Sequence, residues 1–177
     1  PYFKADKSIL IGDHKQLPPT VINQEAAEKG FSKSLFEKLF DLYNNDFSST
    51  LKLQYRMNRE IMGFSRLYFY NEDLKAAESV AEKTLSDLGV DINSDEFIVD
   101  KALKPEYPVV FLDTLNMEAE ERSLNGSNSY DNPVESEIVL DIIDRAVKIS
   151  IAEEDIAVIS PYKDQVDFLN QHNHYKD

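Results

Sequence analysis

The chain has 177 residues, and its hydrophobic share of 42% provides enough apolar side chains for a packed core, which excludes a wholly disordered segment. It contains no cysteine and only three histidines, which excludes a disulfide framework, a thiolate metal site and a cysteine nucleophile. The net charge is −14, and residues 71–145 carry nineteen acidic against six basic side chains. This acidic segment is expected to be a solvated face rather than a nucleic-acid-binding surface, because phosphate contacts need Lys and Arg.

The first half of the chain predicts two short buried strands and three helices. Each predicted strand is a short apolar run that ends at polar or turn-forming residues. In chain order the predicted elements are a strand over Ser8–Ile11, a helix over 32–43, a strand over Thr50–Leu53, a helix from Arg59 to about Tyr70 and a helix near 76–88. We expect Ser32 and Asn58 to cap the two longer helices and Gly89 to end the third.

The second half predicts further strands that alternate with helices. In chain order the predicted elements are a strand over Val109–Leu112, a long loop over 114–131, a helix from Pro133, a strand over Ile156–Ile159 and a helix after Tyr162. Asn132 as a cap, Pro133 at the first helical position and Glu135 at the third are typical of a helix start. The alternation of buried strands with helices predicts an α/β fold with a parallel sheet.

The first candidate site is the segment GDHKQLPP over residues 12–19, which directly follows the first predicted strand. Ligands in open α/β sheets bind beyond the carboxyl ends of strands, so this loop lies where chemistry is done. Asp13 and Gln16 can orient a water molecule or a terminal phosphate there. The alternative interpretation is a rigid surface turn that Pro18 and Pro19 stiffen.

Two further candidate sites follow predicted strands. In QYRM at 54–57, Arg56 can offer a planar fork of donors to a phosphate, and Tyr55 can stack on a base. In SPYKDQ at 160–165, the hydroxyl, the amides that open a helix and Lys163 can contact a sugar-phosphate backbone. The alternatives are a buried tyrosine beside a surface ion pair in the first segment, and an ordinary strand-to-helix turn in the second.

Together these segments resemble the motifs of superfamily 1 helicases, in the branch of the replication nuclease-helicase and the nonsense-mediated-decay RNA helicase. GDHKQLPP resembles motif III of that family, and QYRM resembles its motif IV. ISPY with Gln165 resembles the family's ITPYxxQ motif, with Ser160 in place of Thr, and Asn132–Glu135 resembles its Asn-x-x-Glu helix start. His14 and the segment GFSKSLF at 30–36 resemble the replication nuclease-helicase more closely than the RNA enzyme.

The resemblance implies an α/β fold of the RecA-like, P-loop NTPase type, with an incomplete parallel sheet that spans parts of two RecA-like domains. Residues 1–46 correspond to the end of the first domain and 47–177 to the start of the second, with 72–105 and 114–131 as inserts or loops. The family's phosphate-binding loop does not occur in this sequence, and its magnesium-binding Asp-Glu pair does not precede residue 8. We therefore expect an internal piece of a helicase motor that does not hydrolyse ATP alone and contains no metal ligand.

The resemblance also implies roles for individual residues in a parent enzyme that uses ATP and Mg²⁺. Gln16 would sense the terminal phosphate of ATP, and Gly12 and Asp13 would shape that turn. Arg56 would act as an arginine finger, and Tyr55 would stack near the adenosine. The residues implied to contact nucleic acid are Pro18, Pro19, Ser160, Pro161, Tyr162 and Lys163.

Three functions are compatible with these features. The first is a part of an ATP-dependent DNA helicase of replication or repair, which moves 5′ to 3′ on single-stranded DNA together with the remaining helicase domains. The second is an RNA helicase of the decay type, and the third is a non-catalytic binding module derived from a helicase. No apolar run approaches the ~18 residues that span a bilayer, so we expect no membrane contact and an intracellular location, in a prokaryotic cytoplasm or a nucleus.

Overall fold

The computed structural model describes residues 4–43, 47–92, 97–123 and 126–175. Its regular elements are mostly helices. In chain order they are α1 (Gln24–Ala26), α2 (Leu35–Tyr43), β1 (Leu53–Gln54), α3 (Arg59–Phe69), β2 (Lys75–Ala76), α4 (Glu78–Ala81), α5 (Ile98–Ala102), α6 (Pro133–Lys148) and α7 (Lys163–His172). A π-helical turn over Ala27–Phe31 follows α1, and 3-10 turns occupy Leu85–Leu88 and Glu153–Asp155.

The chain divides into two compact units. The first comprises Pro1–Leu53 and Ser65–Lys75, and the second comprises Gln54–Phe64 and Ala76–Asp177. The domain boundary predicted after residue 46 lies outside the described residues, and the two RecA-like domains stay a prediction.

The strands β1 and β2 pair in parallel. The amide of Lys75 donates to the carbonyl of Lys52 at 2.7 Å, and the amide of Ala77 donates to the carbonyl of Gln54 at 2.9 Å. The strand predicted over Thr50–Leu53 therefore forms, but it is shifted towards Gln54. The mixed α/β class and the parallel pairing are confirmed, although β2 itself was not expected from the sequence.

Three of the four predicted strands do not form, and these predictions are wrong for this structure. The segments are Ser8–Ile11, Val109–Leu112 and Ile156–Ile159. Their apolar side chains are largely exposed, with Ile11 at 95%, Phe111 at 88% and Ile159 at 92%. A strand needs a neighbour that completes its backbone hydrogen bonds, and none pairs with these segments within the described residues.

Side chains cap the helices of the first unit. Oδ1 of Asn23 accepts a hydrogen bond from the amide of Ala26 at 2.9 Å, and Oγ of Ser34 accepts one from the amide of Glu37 at 3.1 Å. The prediction that Ser32 is the cap is therefore wrong. The π-helical turn occupies the chain up to Phe31, so α2 begins later than the sequence pattern indicated.

The second unit has an apolar core to which α6 contributes one face. Its buried residues are Val90, Ile92, Leu103, Ala146 and Ile151, and Leu85, Ile142, Ile149 and Ile156 pack against them. Helix α5 is attached to α6 by an ion pair, in which Nε of Arg145 lies 2.7 Å from Oδ1 of the buried Asp100.

Two predicted helix starts in this unit are confirmed. Oδ1 of Asn58 accepts a hydrogen bond from the amide of Glu60 at 2.7 Å, and α3 begins at the next residue after this cap. Oδ1 of Asn132 accepts one from the amide of Glu135 at 3.2 Å, and α6 begins at Pro133. The last helix also follows Tyr162 as predicted.

The helix predicted near 76–88 is interrupted. Residues of β2 and α4 take its first part, and a separate 3-10 turn over Leu85–Leu88 takes its end. Thr84 and Asp87 form reciprocal side-chain caps at the start of that turn. Gly89 ends it with a φ of 80°, a left-handed conformation that glycine adopts at little cost, so this part of the prediction is confirmed.

The predicted long loop over 114–131 contains no helix within the described residues, but it is closed by a bridge. The amide of Arg122 donates to the carbonyl of Asp131 at 2.8 Å, and the amide of Asp131 donates to the carbonyl of Arg122 at 3.0 Å. No helix in the described part of the chain combines the length and the apolar character needed to cross a membrane.

Candidate functional site

The carboxylate of Asp13 organises the loop that the sequence assigned to phosphate sensing. Its Oδ1 accepts a hydrogen bond from the amide of Lys15 at 3.0 Å, and its Oδ2 accepts one from Nε2 of Gln16, also at 3.0 Å. Gln16 is exposed, and one N–H and the carbonyl oxygen of its amide have no hydrogen bond within the described residues. The loop therefore presents an oriented amide that can still donate to a phosphate oxygen and accept from water.

Tyr70 completes the surroundings of this carboxylate. Its hydroxyl donates to Oδ2 of Asp13 at 2.5 Å, and this contact raises the pKa of Tyr70 to about 12. Partial burial opposes the ionisation of Asp13, but the hydrogen bonds from Tyr70, the Lys15 amide and Gln16 outweigh it and lower the pKa of Asp13. At neutral pH the carboxylate is therefore ionised and the phenol is protonated.

The same loop packs on α2. The ring of His14 stacks on that of Phe40, with 4.4 Å between centroids and an interplanar angle of 29°. A Cβ atom on Gly12 would lie 3.3 Å from Cδ2 of Phe36, so glycine allows a close approach that another residue would disturb. Pro18 and Pro19 are exposed beyond this packed part.

The side chain of Gln54 folds the second candidate site into a compact turn. Its Oε1 accepts hydrogen bonds from the amides of Arg56 at 2.7 Å and Met57 at 2.9 Å. Its Nε2 donates to the carbonyl of Met57 at 2.7 Å. Gln54 therefore satisfies three backbone groups of the turn, and none of these hydrogen bonds involves the arginine side chain.

Tyr55 and Arg56 are exposed on this turn. Tyr55 is 67% exposed, so the alternative of a buried tyrosine is wrong. Arg56 makes no ion pair with any residue in the described ranges, so the surface ion pair weighed for it does not occur there. An exposed guanidinium without a protein partner is suited to bind an anion such as a phosphate.

The third candidate site opens α7. Oγ of Ser160 accepts a hydrogen bond from the amide of Tyr162 at 3.2 Å, and Pro161, Tyr162 and Lys163 are exposed. Lys163 forms an ion pair with Asp167 one turn along the helix, which raises the pKa of Lys163 and keeps it charged. A phosphate that binds Lys163 competes with this exposed carboxylate for the charge, although the ammonium group has two further N–H donors.

Residues from the 114–131 loop contact this third site. Oγ of Ser129 accepts a hydrogen bond from the amide of Asp164 at 3.2 Å, in the first turn of α7. The rings of Tyr130 and Tyr162 meet edge to face, with centroids 5.7 Å apart. Glu121 and Glu135 line the same groove as Ser160–Tyr162. The surface near the predicted nucleic-acid contact is therefore more acidic than phosphate binding alone would favour.

The structure brings some predicted site residues together and leaves others apart. Asp13 and Gln16 are hydrogen-bonded within the first unit. Tyr55 and Arg56 lie in the second unit with residues 160–163, but within the described residues no hydrogen bond or ion pair joins the two segments. In the same described ranges, no group of three or more His, Asp or Glu is arranged to hold a metal ion.

Sequence reasoning missed the residues that support these segments. Tyr70 is separated from Asp13 by 57 positions, and nothing in its local sequence marks it as a partner of that loop. Gln54 and Gln165 belonged to recognised motifs, so their positions were visible, but their backbone-binding roles were not. The available signal was a glutamine close to a predicted helix start, a few residues before Asn58 or just after Tyr162.

Comparison with known proteins identifies the family. A family model described as an AAA domain matches residues 31–177. An uncharacterized ATP-dependent helicase of Methanocaldococcus jannaschii is 45% identical over 171 residues, which cover 97% of this chain and 24% of the relative. The DNA-binding protein SMUBP-2 of Rattus norvegicus is 37% identical over 97% of this chain and 16% of its own length.

A further relative is the DNA replication ATP-dependent helicase/nuclease DNA2 of Mus musculus, which is 34% identical over 96% of this chain and 17% of its own length. The chain thus spans between 16% and 24% of the length of these three relatives. Two of these relatives are named as ATP-dependent helicases, the protein class that the motifs at 12–19, 54–57 and 159–165 resemble. The predicted family is therefore confirmed. This chain belongs to the AAA domain family, in the superfamily 1 helicase branch that its motifs resemble.

Proposed function

We propose that this chain is part of an ATP-dependent DNA helicase that moves 5′ to 3′ on single-stranded DNA in replication or repair. The family match and the names of the relatives support the motor class. In this proposal residues 1–46 end one RecA-like domain, residues 47–177 begin a second, and the remaining helicase domains belong to the full-length protein. Its location is intracellular, where nucleic acid and ATP are present.

The observation that carries the proposal is the turn at Gln54–Met57. Because Gln54 satisfies the backbone of the turn, Arg56 needs no structural partner and its guanidinium is available. In the proposed function Arg56 stabilises the negative charge that develops on the transferring phosphoryl group, as an arginine finger does. Exposed Tyr55 stacks near the adenosine.

The loop at 12–16 supplies the second contact in this proposal. Gln16 donates its remaining N–H to the terminal phosphate, while Asp13 accepts the other N–H of the same Nε2 and so orients the amide. Gly12 allows the loop to pass close to α2. Bound Mg²⁺ neutralises phosphate charge in this class of enzyme, and the proposal assigns none of its ligands to this chain.

Nucleic acid is bound, in this proposal, by the start of α7 and by the two exposed prolines of the first loop. Tyr162, which is 41% exposed, offers an aromatic ring, and Lys163 offers a charge near the sugar-phosphate backbone. Such contacts carry no base information, which suits a motor that is indifferent to sequence. The residues concerned are Pro18, Pro19, Ser160, Pro161, Tyr162 and Lys163.

The test uses the full-length protein that contains this sequence. ATP turnover is measured without nucleic acid, with single-stranded DNA and with RNA of the same base sequence, and unwinding is measured on duplexes with a 5′ or a 3′ overhang. We expect DNA to stimulate turnover more than RNA and the 5′ overhang to be unwound. If RNA stimulates turnover more strongly than DNA, the proposed substrate is wrong and the protein is an RNA helicase. If no turnover occurs under any condition, the motor function is wrong and the protein is a non-catalytic binding module.

A further inference from the structure

Tyr70 connects the end of α3 to the phosphate-sensing loop of the same unit. Its hydroxyl and Nε2 of Gln16 both donate to the same oxygen of Asp13, Oδ2, at 2.5 Å and 3.0 Å. The other carboxylate oxygen accepts the amide of Lys15 at 3.0 Å. Asp13 is thus the shared acceptor through which a change at Tyr70 reaches Gln16.

The backbone after Tyr70 is built into a tight turn. The amide of Asp73 donates to the carbonyl of Tyr70 at 2.8 Å. Asn71 and Glu72 follow with φ of 47° and 63°, two successive left-handed residues without a glycine. Such a conformation is unfavourable and persists only where surrounding contacts maintain it.

Arg66 of α3 supplies those contacts. Its Nε donates to the carbonyl of Glu72 at 3.2 Å, and its guanidinium pairs with the carboxylate of Glu72 at 3.1 Å. The position of Tyr70 at the end of α3 is therefore fixed by hydrogen bonds on the helix and on the turn. A side chain carried on backbone that is held in this way can in turn orient a partner.

We propose that Tyr70 is a positioning residue for Gln16, and that it acts by fixing the carboxylate of Asp13. The inference rests on the proposed role of Gln16 at the terminal phosphate. The Tyr70 hydroxyl gives Oδ2 of Asp13 a second donor besides Gln16, while the Lys15 amide binds Oδ1, and together these bonds set the carboxylate plane. Without the hydroxyl, Oδ2 keeps only Gln16 as a donor, and the pair can rotate together away from the orientation that meets the phosphate.

The hydrogen bond from Tyr70 to Asp13 persists near neutral pH. The phenol, with a pKa of about 12, remains a donor, and Asp13, whose pKa is lowered, remains an acceptor. Neither group changes its protonation state near neutral pH. The contact therefore sets a geometry and does not act as a pH switch.

The experiment is a double-mutant cycle in the full-length protein, with Tyr70→Phe, Gln16→Ala and the double variant. The kcat and KM for ATP are measured at saturating single-stranded DNA. Tyr70→Phe retains the ring and removes only the hydroxyl. We expect kcat to fall about fivefold, the factor that corresponds to one hydrogen bond of about 1 kcal/mol, with a smaller change in KM. In the Gln16→Ala background, Tyr70→Phe is expected to have no further effect on kcat.

Tyr107→Phe is the matched control, because Tyr107 is exposed and its hydroxyl makes no hydrogen bond to any described residue. Its kcat is expected to equal that of the unchanged protein, and thermal unfolding of each variant checks that the fold is intact. If Tyr70→Phe lowers kcat equally with and without Gln16, or leaves it unchanged while Gln16→Ala lowers it, the positioning role is wrong. If Gln16→Ala itself leaves kcat unchanged, the proposed role of Gln16 is wrong, and the inference about Tyr70 is wrong with it.

Should Tyr70→Phe reduce the folded fraction, Asp13→Asn provides a second route to the same question. It keeps the size of the side chain and removes one of the two acceptor oxygens. We expect it to lower kcat and to be non-additive with Gln16→Ala. Additive effects of these two variants would overturn the inference independently of Tyr70.

Discussion

The side chain of Gln165 is hydrogen-bonded to the backbone of Asn132. The amide of Asn132 donates to Oε1 of Gln165 at 2.7 Å, and Nε2 of Gln165 lies 3.5 Å from the carbonyl oxygen of Asn132. Both residues are buried, at 8% and 4% exposure. Because Asn132 caps α6 and Gln165 lies in the first turn of α7, this contact sets the start of α7 against the start of α6. The segment that the proposed function assigns to nucleic acid, residues 160–163, ends two residues before Gln165.

Replacement of Gln165 is expected to destabilise the second unit. Gln165→Ala leaves the buried amide of Asn132 without its acceptor, which costs about 1–3 kcal/mol in the free energy of unfolding. Asn170→Ala is the control, because Asn170 is exposed on the same helix and its replacement should cost less than about 0.5 kcal/mol. Urea unfolding followed by circular dichroism measures both, and equal stabilities would show that the contact contributes nothing.

Acid is expected to weaken the closure of the 114–131 loop. The guanidinium of Arg122 donates to both oxygens of Asp131 at 2.8 Å and 2.7 Å, and these bonds lower the pKa of Asp131. A lowered carboxyl pKa in the folded state contributes stability above the ordinary value of 3.8, and the contribution is lost as the pH falls through the folded-state pKa.

In Arg122→Ala this part of the acid dependence is expected to disappear, and Tm is expected to fall at neutral pH because the buried Asp131 loses its partner. The measurement is Tm between about pH 6 and about pH 2. Lys101→Ala is the control, since it also removes one exposed cation but has no ion pair within the described residues. Parallel curves for Arg122→Ala and the unchanged protein would contradict the expectation.

The sequence predicted the features that depend on residues close together in the chain, such as helix caps. Asn58 and Asn132 could be recognised as caps because each bonds an amide two or three residues ahead. The run at Ser8–Ile11 was read as a strand, but a strand depends on a partner that the local sequence does not specify. Tyr70 and Asp13 are 57 positions apart, so only the folded chain reveals their hydrogen bond.

The acidic side chains of the 114–131 loop are not expected to contact nucleic acid. Glu121 lines the groove beside Ser160–Tyr162, within a segment whose charge repels phosphate over the ~8 Å screening length of physiological salt. Neutralising Glu118, Glu120 and Glu121 as glutamines should leave the affinity of the full-length protein for single-stranded DNA unchanged, or tighten it by up to about fivefold.

Fluorescence anisotropy with a labelled oligonucleotide at fixed salt measures this affinity. Glu137→Gln is the control, because Glu137 is an exposed acid of α6 that does not line the groove. A clear loss of affinity in the triple variant, with an unchanged Tm, would place these carboxylates in the binding surface and contradict the prediction.

Arg56 is expected to act on the rate of ATP hydrolysis more than on binding or folding. In the full-length protein, Arg56→Ala should lower kcat by about 10³-fold or more, because its guanidinium meets charge that develops in the transition state. The affinity for nucleotide should fall much less. Arg56→Lys should restore little activity, since a point charge on a flexible stem does not reproduce the planar fork.

The competing interpretation is that Arg56 stabilises the turn before Asn58. The hydrogen bonds from Gln54 argue against it, because they already satisfy the amides of Arg56 and Met57. If Arg56 were structural, Arg56→Ala would lower Tm and the activity would fall only in proportion to the unfolded fraction. Arg59→Ala is the matched control, since Arg59 is an exposed arginine that pairs with Glu82 on the surface, and it should change neither kcat nor Tm appreciably. Measuring kcat per folded molecule for both variants separates the two interpretations, and a near-normal value for Arg56→Ala would remove Arg56 from the site.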